Sequence, residues 1–189
     1  TVTGNIEVKP GATLQLKGAG TINGTIEATG TVYDETKLLL TDGWKGTVTN
    51  IVMNNAQLEM SSGTVSKVLS FVRYTAEQAK AQLKITGGTI KNAFGNDTGA
   101  STTTGGYATL QQLLPDGYTL QKKDGSYLTA EERAGFQILE QVTVVQCEHD
   151  FENGTCKNCG AVCAHEDYWT DSSDGHAEGA CKRCGKQVK

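Results

Sequence analysis

Ala56-Gln57-Leu58-Glu59-Met60-Ser61-Ser62-Gly63-Thr64-Val65 and Ala81-Gln82-Leu83-Lys84-Ile85-Thr86-Gly87-Gly88-Thr89-Ile90 are near-copies of one another. Both read A-Q-L-x-apolar-hydroxyl-small-G-T-apolar. Two looser copies lie upstream, at Ala12-Thr13-Leu14-Gln15-Leu16 and Thr36-Lys37-Leu38-Leu39-Leu40. The first leucines therefore stand at 14, 38, 58 and 83, in steps of 24, 20 and 25 residues. A period in the twenties with strand-like contents marks a solenoid, in which each repeat buries its apolar face only by stacking on its neighbours.

The runs between the copies fit the same reading. Ile6-Glu7-Val8, Leu14-Gln15-Leu16 and their successors alternate apolar with polar residues, which on a strand sends the apolar ones to a single face. A Gly-Thr-Ile or Gly-Thr-Val triplet recurs at 20–22, 24–26, 30–32, 46–48, 63–65 and 88–90. Glycine supplies a corner with positive φ, threonine suits a strand, and the β-branched residue fills the interior. Over roughly residues 1–94 the pattern resembles the right-handed parallel β-helix family, including the pectate-lyase-like superfamily. The expected fold is all-β: a right-handed parallel β-helix solenoid with a C-terminal cap and two small zinc-ribbon-like modules. Leu14, Leu38, Leu58 and Leu83 are expected to form one internal ladder, and Leu16, Leu40, Met60 and Ile85 a second. An antiparallel β-sandwich with accidental self-similarity is the competing architecture.

Composition divides the chain. All six cysteines and all three histidines lie beyond residue 146 of 189. The expected domains are β-helix coils over 1–106, a cap and hairpin region over 107–146, and tandem modules over 147–189, at 147–160 and 163–185. Within the coils, Thr75 and Gln78 fit a capping box for a short helix, and residues 95–106 read as a loop. In the cap, a short helix is expected from Thr109 to Leu114, then a hairpin through Tyr118-Thr119-Leu120 and Tyr127-Leu128. Thr129 with Glu132 forms a second capping box, and the segments 136–139 and 142–145 read as strands. Such a cap would cover the open end of the solenoid, which otherwise templates aggregation. The string Leu113-Leu114-Pro115-Asp116-Gly117-Tyr118 resembles one found in large surface proteins of Gram-positive gut bacteria.

The clearest chemical signal is Cys147-x-His149 followed by Cys156-x-x-Cys159-Gly160, repeated as Cys163-x-His165 followed by Cys181-x-x-Cys184-Gly185. Cys-x-His on an extended strand places both side chains on one face, and Cys-x-x-Cys-Gly forms a tight knuckle whose glycine permits the turn. Three thiolates and one imidazole suit a closed tetrahedral structural zinc site with no position left for substrate, so two structural Zn²⁺ ions are expected. Lys157, Lys182 and Arg183 would partly relieve the net negative charge of each site. The tail resembles tandem miniature zinc ribbons of secreted Firmicutes proteins. A disulfide framework, with its 15 pairings of six cysteines, is the rival reading, but it gives the repeated histidines no role. A tail this small has little core, so metal should supply its folding free energy, and chelation should unfold it first while sparing the β-helix. His176, outside the repeat, reads as a surface residue.

Hydrophobic residues make up 37% of the chain, as a thin one-dimensional core would require. The net charge of −4 provides no basic field for nucleic acid. No run approaches the ~18 apolar residues of a membrane span. The chain opens directly on strand-like sequence, so it is expected to be part of a longer multidomain protein, extracellular, secreted or cell-wall associated. Many proteins of the family it resembles cleave acidic polysaccharides. Here Glu7, Glu27, Asp34, Glu35, Asp42 and Glu59 share no register, and Glu59 with Lys84 one coil on reads as a surface ion pair, so no catalytic residue is assigned. The expected function is a non-catalytic structural or adhesion module that would bind a glycan or host surface protein through Trp44, Tyr74, Tyr107 or Trp169, although simple packing is the commoner role of each. A fragment of a polysaccharide-active β-helix lyase or glycoside hydrolase is the alternative.

Overall fold

Alternating apolar positions make strands, and the repeat stacks them rung upon rung. The computed structural model describes residues 1–31, 35–41, 43–72, 81–95, 111–134, 137–138, 140–163, 179–180 and 187–188. The body consists of β1 (Val2–Thr3), β2 (Ile6–Val8), β3 (Thr13–Gln15), β4 (Thr21–Thr29), β5 (Lys37–Leu40), β6 (Thr47–Asn54), β7 (Gln57–Met60), β8 (Thr64–Val72), β9 (Leu83–Ile85), β10 (Thr89–Ile90) and β11 (Ala93–Gly95). The chain shuttles between two parallel sheets. One runs β3-β5-β7-β9; in the other, β1 and β2 pair with β4, followed by β6, β8 and then β10 and β11. This is a β-solenoid of about three turns.

The register follows the sequence copies. Leu14 lies opposite Leu38, Leu38 opposite Leu58, and Leu58 opposite Leu83. Leu40, Met60 and Ile85 form the second ladder, while Leu16, just past β3, packs partly buried against the same core. The triplets also align: Thr21, Thr47, Thr64 and Thr89 are consecutive rungs, and Ile22, Val48, Val65 and Ile90 are buried beside them. Glu59 stands opposite Lys84, as the copies require.

Trp44 is not a surface aromatic. It is 4% exposed, so it belongs to the core and is withdrawn from any binding role. Its indole crosses the corners of two successive coils: a Cβ on Gly46 would fall 2.3 Å from the ring, and one on Gly63 2.4 Å. The triplet glycine therefore clears a path for the indole as well as turning the chain, since Gly63 also has φ +86°. Tyr74, Tyr107 and Trp169 lie outside the described residues, as do the expected helix after Thr75 and nearly all of the 95–106 loop.

The last parallel coil is closed by strands of opposite direction. After a single 3-10 turn at Gln111–Leu113 come β12 (Tyr118–Lys122), α1 (Ala130–Ala134), β13 (Gln137–Ile138) and β14 (Val142–Gln146). β14 lies antiparallel between β10 and β12, and β13 pairs antiparallel with β11. The backbone groups of β10 and β11, at the end of the large sheet, thus find partners within the chain, whereas β9 is the edge strand of the smaller sheet among the described residues. Leu113, Leu114, Leu120, Leu128, Val142 and Val144 extend the solenoid core without a break. The capping box forms: Glu132 N–H donates to Thr129 Oγ1 at 3.2 Å, and Thr129 N–H donates back to Glu132 Oε2 at 2.7 Å. Beyond the cap lie two short antiparallel pairs, β15 (Phe151–Glu152) with β16 (Thr155–Cys156), and β17 (Gly179–Ala180) with β18 (Gln187–Val188). No helix among the described residues is long and apolar enough to cross a membrane.

Candidate metal centre

Cys147 directly follows β14, so the cluster grows out of the last strand of the large sheet. Its N–H donates to the Gly117 carbonyl at 2.7 Å, continuing the pairing of β14 with β12 by one residue. The chain then bends through His149, forms the β15–β16 hairpin over a turn in which Asn153 has φ 51° and Gly154 φ 84°, and enters the knuckle at Cys156. Gly160 N–H donates to the Cys156 carbonyl at 2.8 Å with φ +77°, the left-handed turn for which the trailing glycine was read.

Cys147, His149, Cys156 and Cys159 are brought together, with one ligand atom from each lying within 4.8 Å of all the others. Cys147 Sγ stands 3.7 Å from Cys156 Sγ, and Cys159 Sγ stands 3.5 Å from His149 Nδ1. A tetrahedral ion with metal–sulfur bonds of about 2.3 Å and metal–nitrogen bonds of about 2.0–2.1 Å sets sulfur–sulfur edges near 3.8 Å and sulfur–nitrogen edges near 3.6 Å. The observed separations match those edges, so the cluster is able to hold a metal ion. The three sulfurs are buried, with Phe151 and Ala161 packed against them, and His149 stacks on Phe151 with ring centroids 5.3 Å apart.

The surroundings treat the three thiols differently. Burial pushes the Cys147 thiol well above its ordinary range, and the neighbouring Cys159 and Cys156 reinforce the shift. Burial also opposes ionisation of Cys156, but His149 and the backbone N–H groups of Cys159, Asn158 and Asp150 outweigh it and lower this thiol to about 6. Burial raises Cys159, against lowering contributions from the Ala161 amide and Cys147. The backbone amides around Cys156 thus favour its ionised form, which is the form that binds a metal.

Two buried polar side chains fasten the knuckle to the cap, and the sequence reading did not single out either. Thr119, in β12, donates from Oγ1 to the Asn158 carbonyl at 2.7 Å. Arg133, in α1 and 6% exposed, donates from Nη1 to the same carbonyl at 3.2 Å and also to the Leu128 carbonyl. Asn158 in turn donates through Nδ2 to the Glu148 carbonyl at 2.6 Å. Among the described residues, Arg133 is a buried cation bonded to the knuckle, whereas Lys157 is an exposed residue paired with Glu152 at 3.4 Å. The signal in the sequence was the missing linker: Cys147 follows the apolar run 142–145 after a single residue, Gln146.

Of the second predicted set, Cys163 is buried and its N–H donates to the Gly154 carbonyl at 2.8 Å. His165, Cys181 and Cys184 lie outside the described residues, and so does His176. Comparison with protein-family models, with curated proteins and with solved structures finds no match to this chain.

Proposed function

We propose that the chain is a non-catalytic structural module: a rigid β-solenoid whose C-terminal cap is closed by structural zinc. The observation that carries this reading is the agreement of the Cys147–Cys156 and Cys159–His149 separations, 3.7 and 3.5 Å, with the edges of a zinc-centred tetrahedron. Four protein ligands fill such a sphere and leave no position for a substrate or activated water. Cys163, His165, Cys181 and Cys184 repeat the ligand order and would hold a second ion. The right-handed, pectate-lyase-like form of the solenoid belongs to the same proposal.

Elemental analysis of purified protein tests this. The expected content is about two zinc ions per chain, falling to about one in Cys159→Ser. Protein purified with three disulfides and no metal overturns it. We place the module outside the cell or on the cell wall of a Gram-positive bacterium, as a stalk or adhesion segment in a longer chain that contacts a glycan or host protein. A glycan and host-protein binding screen run beside a polysaccharide-degradation assay decides the role. Turnover abolished by one acidic substitution would favour the enzyme alternative.

A further inference from the structure

We propose that Cys147 and Cys156 form an oxidation-sensitive pair, through which a hydroperoxide converts the metal centre to a disulfide and expels the ion. The release step rests on the metal reading above; formation of the disulfide does not. The two sulfurs lie 3.7 Å apart, and a closing movement of under 2 Å brings them to disulfide bonding distance, about 2.0 Å. Both belong to the described thiols, with no disulfide joining them. Cys147 is the more exposed of the pair, at 7% against 1% for Cys156. A groove of about 550 Å³, lined among others by Tyr118 and Val162, brings solvent to the His149 and Cys159 side of the cluster.

The step balances without a further reactant. One of the two sulfurs, as a thiolate, attacks the terminal oxygen of the hydroperoxide, breaking the O–O bond. It becomes a sulfenic acid, and the other oxygen leaves as an alcohol, or as water from hydrogen peroxide, taking up a proton from solvent. The second sulfur then attacks the first, and the sulfenic hydroxyl leaves as water with one further proton, from that sulfur or from solvent. Two cysteine sulfurs are oxidised by two electrons, and one peroxide is reduced. The disulfide no longer offers two thiolates, so the ion keeps only Cys159 and His149 and dissociates.

The wild-type chain can be tested directly, because tryptic cleavage at Arg133, Lys157 and Lys182 separates the cysteines usefully. Cys147 and Cys156 fall in the peptide 134–157, and Cys159, Cys163 and Cys181 in the peptide 158–182. Metal content is measured first, and the protein is then treated with hydrogen peroxide, alkylated and digested. The expected product is peptide 134–157 lighter by two hydrogens and carrying no alkyl groups, formed in step with metal release to a chromogenic chelator. Cys159→Ser should still form this product, whereas Cys156→Ser should not. Peptide 134–157 recovered with both cysteines alkylated, cross-linked to peptide 158–182, or over-oxidised to sulfinic acid would overturn the inference. Absence of metal before treatment overturns the zinc reading instead, whatever the peptide then shows.

Discussion

Leu58 is fully buried, with Leu38 on the rung before it and Leu83 on the rung after. Replacing it by alanine removes three carbon atoms, a transfer loss of about 2.4 kcal/mol at about 0.8 kcal/mol for each. The rungs on either side are held by main-chain pairing, so the strands cannot close on the space. A residual cavity of roughly 60–80 Å³ at about 24 cal/mol per Å³ adds about 1.5–2 kcal/mol, for a total near 4 kcal/mol. Leu14 occupies the same ladder but is only partly buried. There the truncation should cost about 1 kcal/mol, because part of the side chain already meets water and no closed cavity forms. Urea titrations followed by far-ultraviolet circular dichroism would compare the two variants with wild type. With a slope of roughly 2 kcal/mol per molar, Leu58→Ala should lower the midpoint by about 2 M and Leu14→Ala by about 0.5 M. Equal shifts for the two variants, or a loss below about 1 kcal/mol for Leu58→Ala, would refute the closed, rung-by-rung core.

Four further outcomes are expected. Gly63→Ala should cost about 3 kcal/mol or more, since its Cβ falls 2.4 Å from the Trp44 ring at φ +86°, whereas Gly18→Ala, at φ +75° with nothing within 4 Å, should cost about 1 kcal/mol; equal melting temperatures would remove Trp44 from the corners. Thr129→Ala should lose about 1 kcal/mol through the broken capping box, measured by thermal melting. The Lys122 ammonium first, and then the Thr129 amide, hold the Glu132 carboxyl below its ordinary range. Because the folded value is depressed, this contribution is full above the ordinary carboxylate range and fades as pH falls through the folded value; Glu132→Gln keeps a capping amide and should flatten that acid limb in a pH–stability profile. Arg133→Met leaves the Asn158 and Leu128 carbonyls without their guanidinium donor, so cap stability should fall by about 2–4 kcal/mol and metal should be lost faster to a chelator; wild-type values for both would show that the clasp is idle.

The solenoid was legible because stacking writes one strand pattern into the sequence repeatedly. Leu58 and Leu83 occupy the same place in successive turns, so the spacing of the copies gives the register as well as the fold. The capping box at Thr129 and Glu132 was legible for a similar reason: both partners lie within four residues, and no tertiary information is needed. Trp44 was not. An aromatic residue beside Asp42-Gly43 looks like a surface side chain, and only the stacking of Gly46 and Gly63 over it makes a buried slot. The grouping of Cys147, His149, Cys156 and Cys159 could be read from spacing, since two short motifs fix their own geometry. Their attachment could not. The clasp joins Thr119, Arg133 and Asn158, which lie up to 39 residues apart, and carries no periodic or motif signature.

That attachment bears on how metal and fold depend on each other. The apolar support of the knuckle is slight: Phe151 and Ala161 against three sulfurs. So small a cluster contributes little toward the ordering entropy of its own loop, and an ion held there, as proposed, would add the difference. If the knuckle were only tethered, its unfolding on chelation would stop at Gln146, as the composition break alone suggests. Instead, Cys147 extends the β14–β12 ladder through Gly117, and the Asn158 carbonyl accepts from both Thr119 and Arg133. Melting the knuckle strips these partners from two side chains that are otherwise buried, and the cost falls on β12 and α1. β14, in contrast, is also held by β10 of the solenoid, whose leucine and threonine rungs owe nothing to metal. If the proposed ion is bound, its loss should therefore propagate through the cap hairpin and halt at the β10–β14 pairing, the metal acting as a clamp on the cap while the coils stay standing.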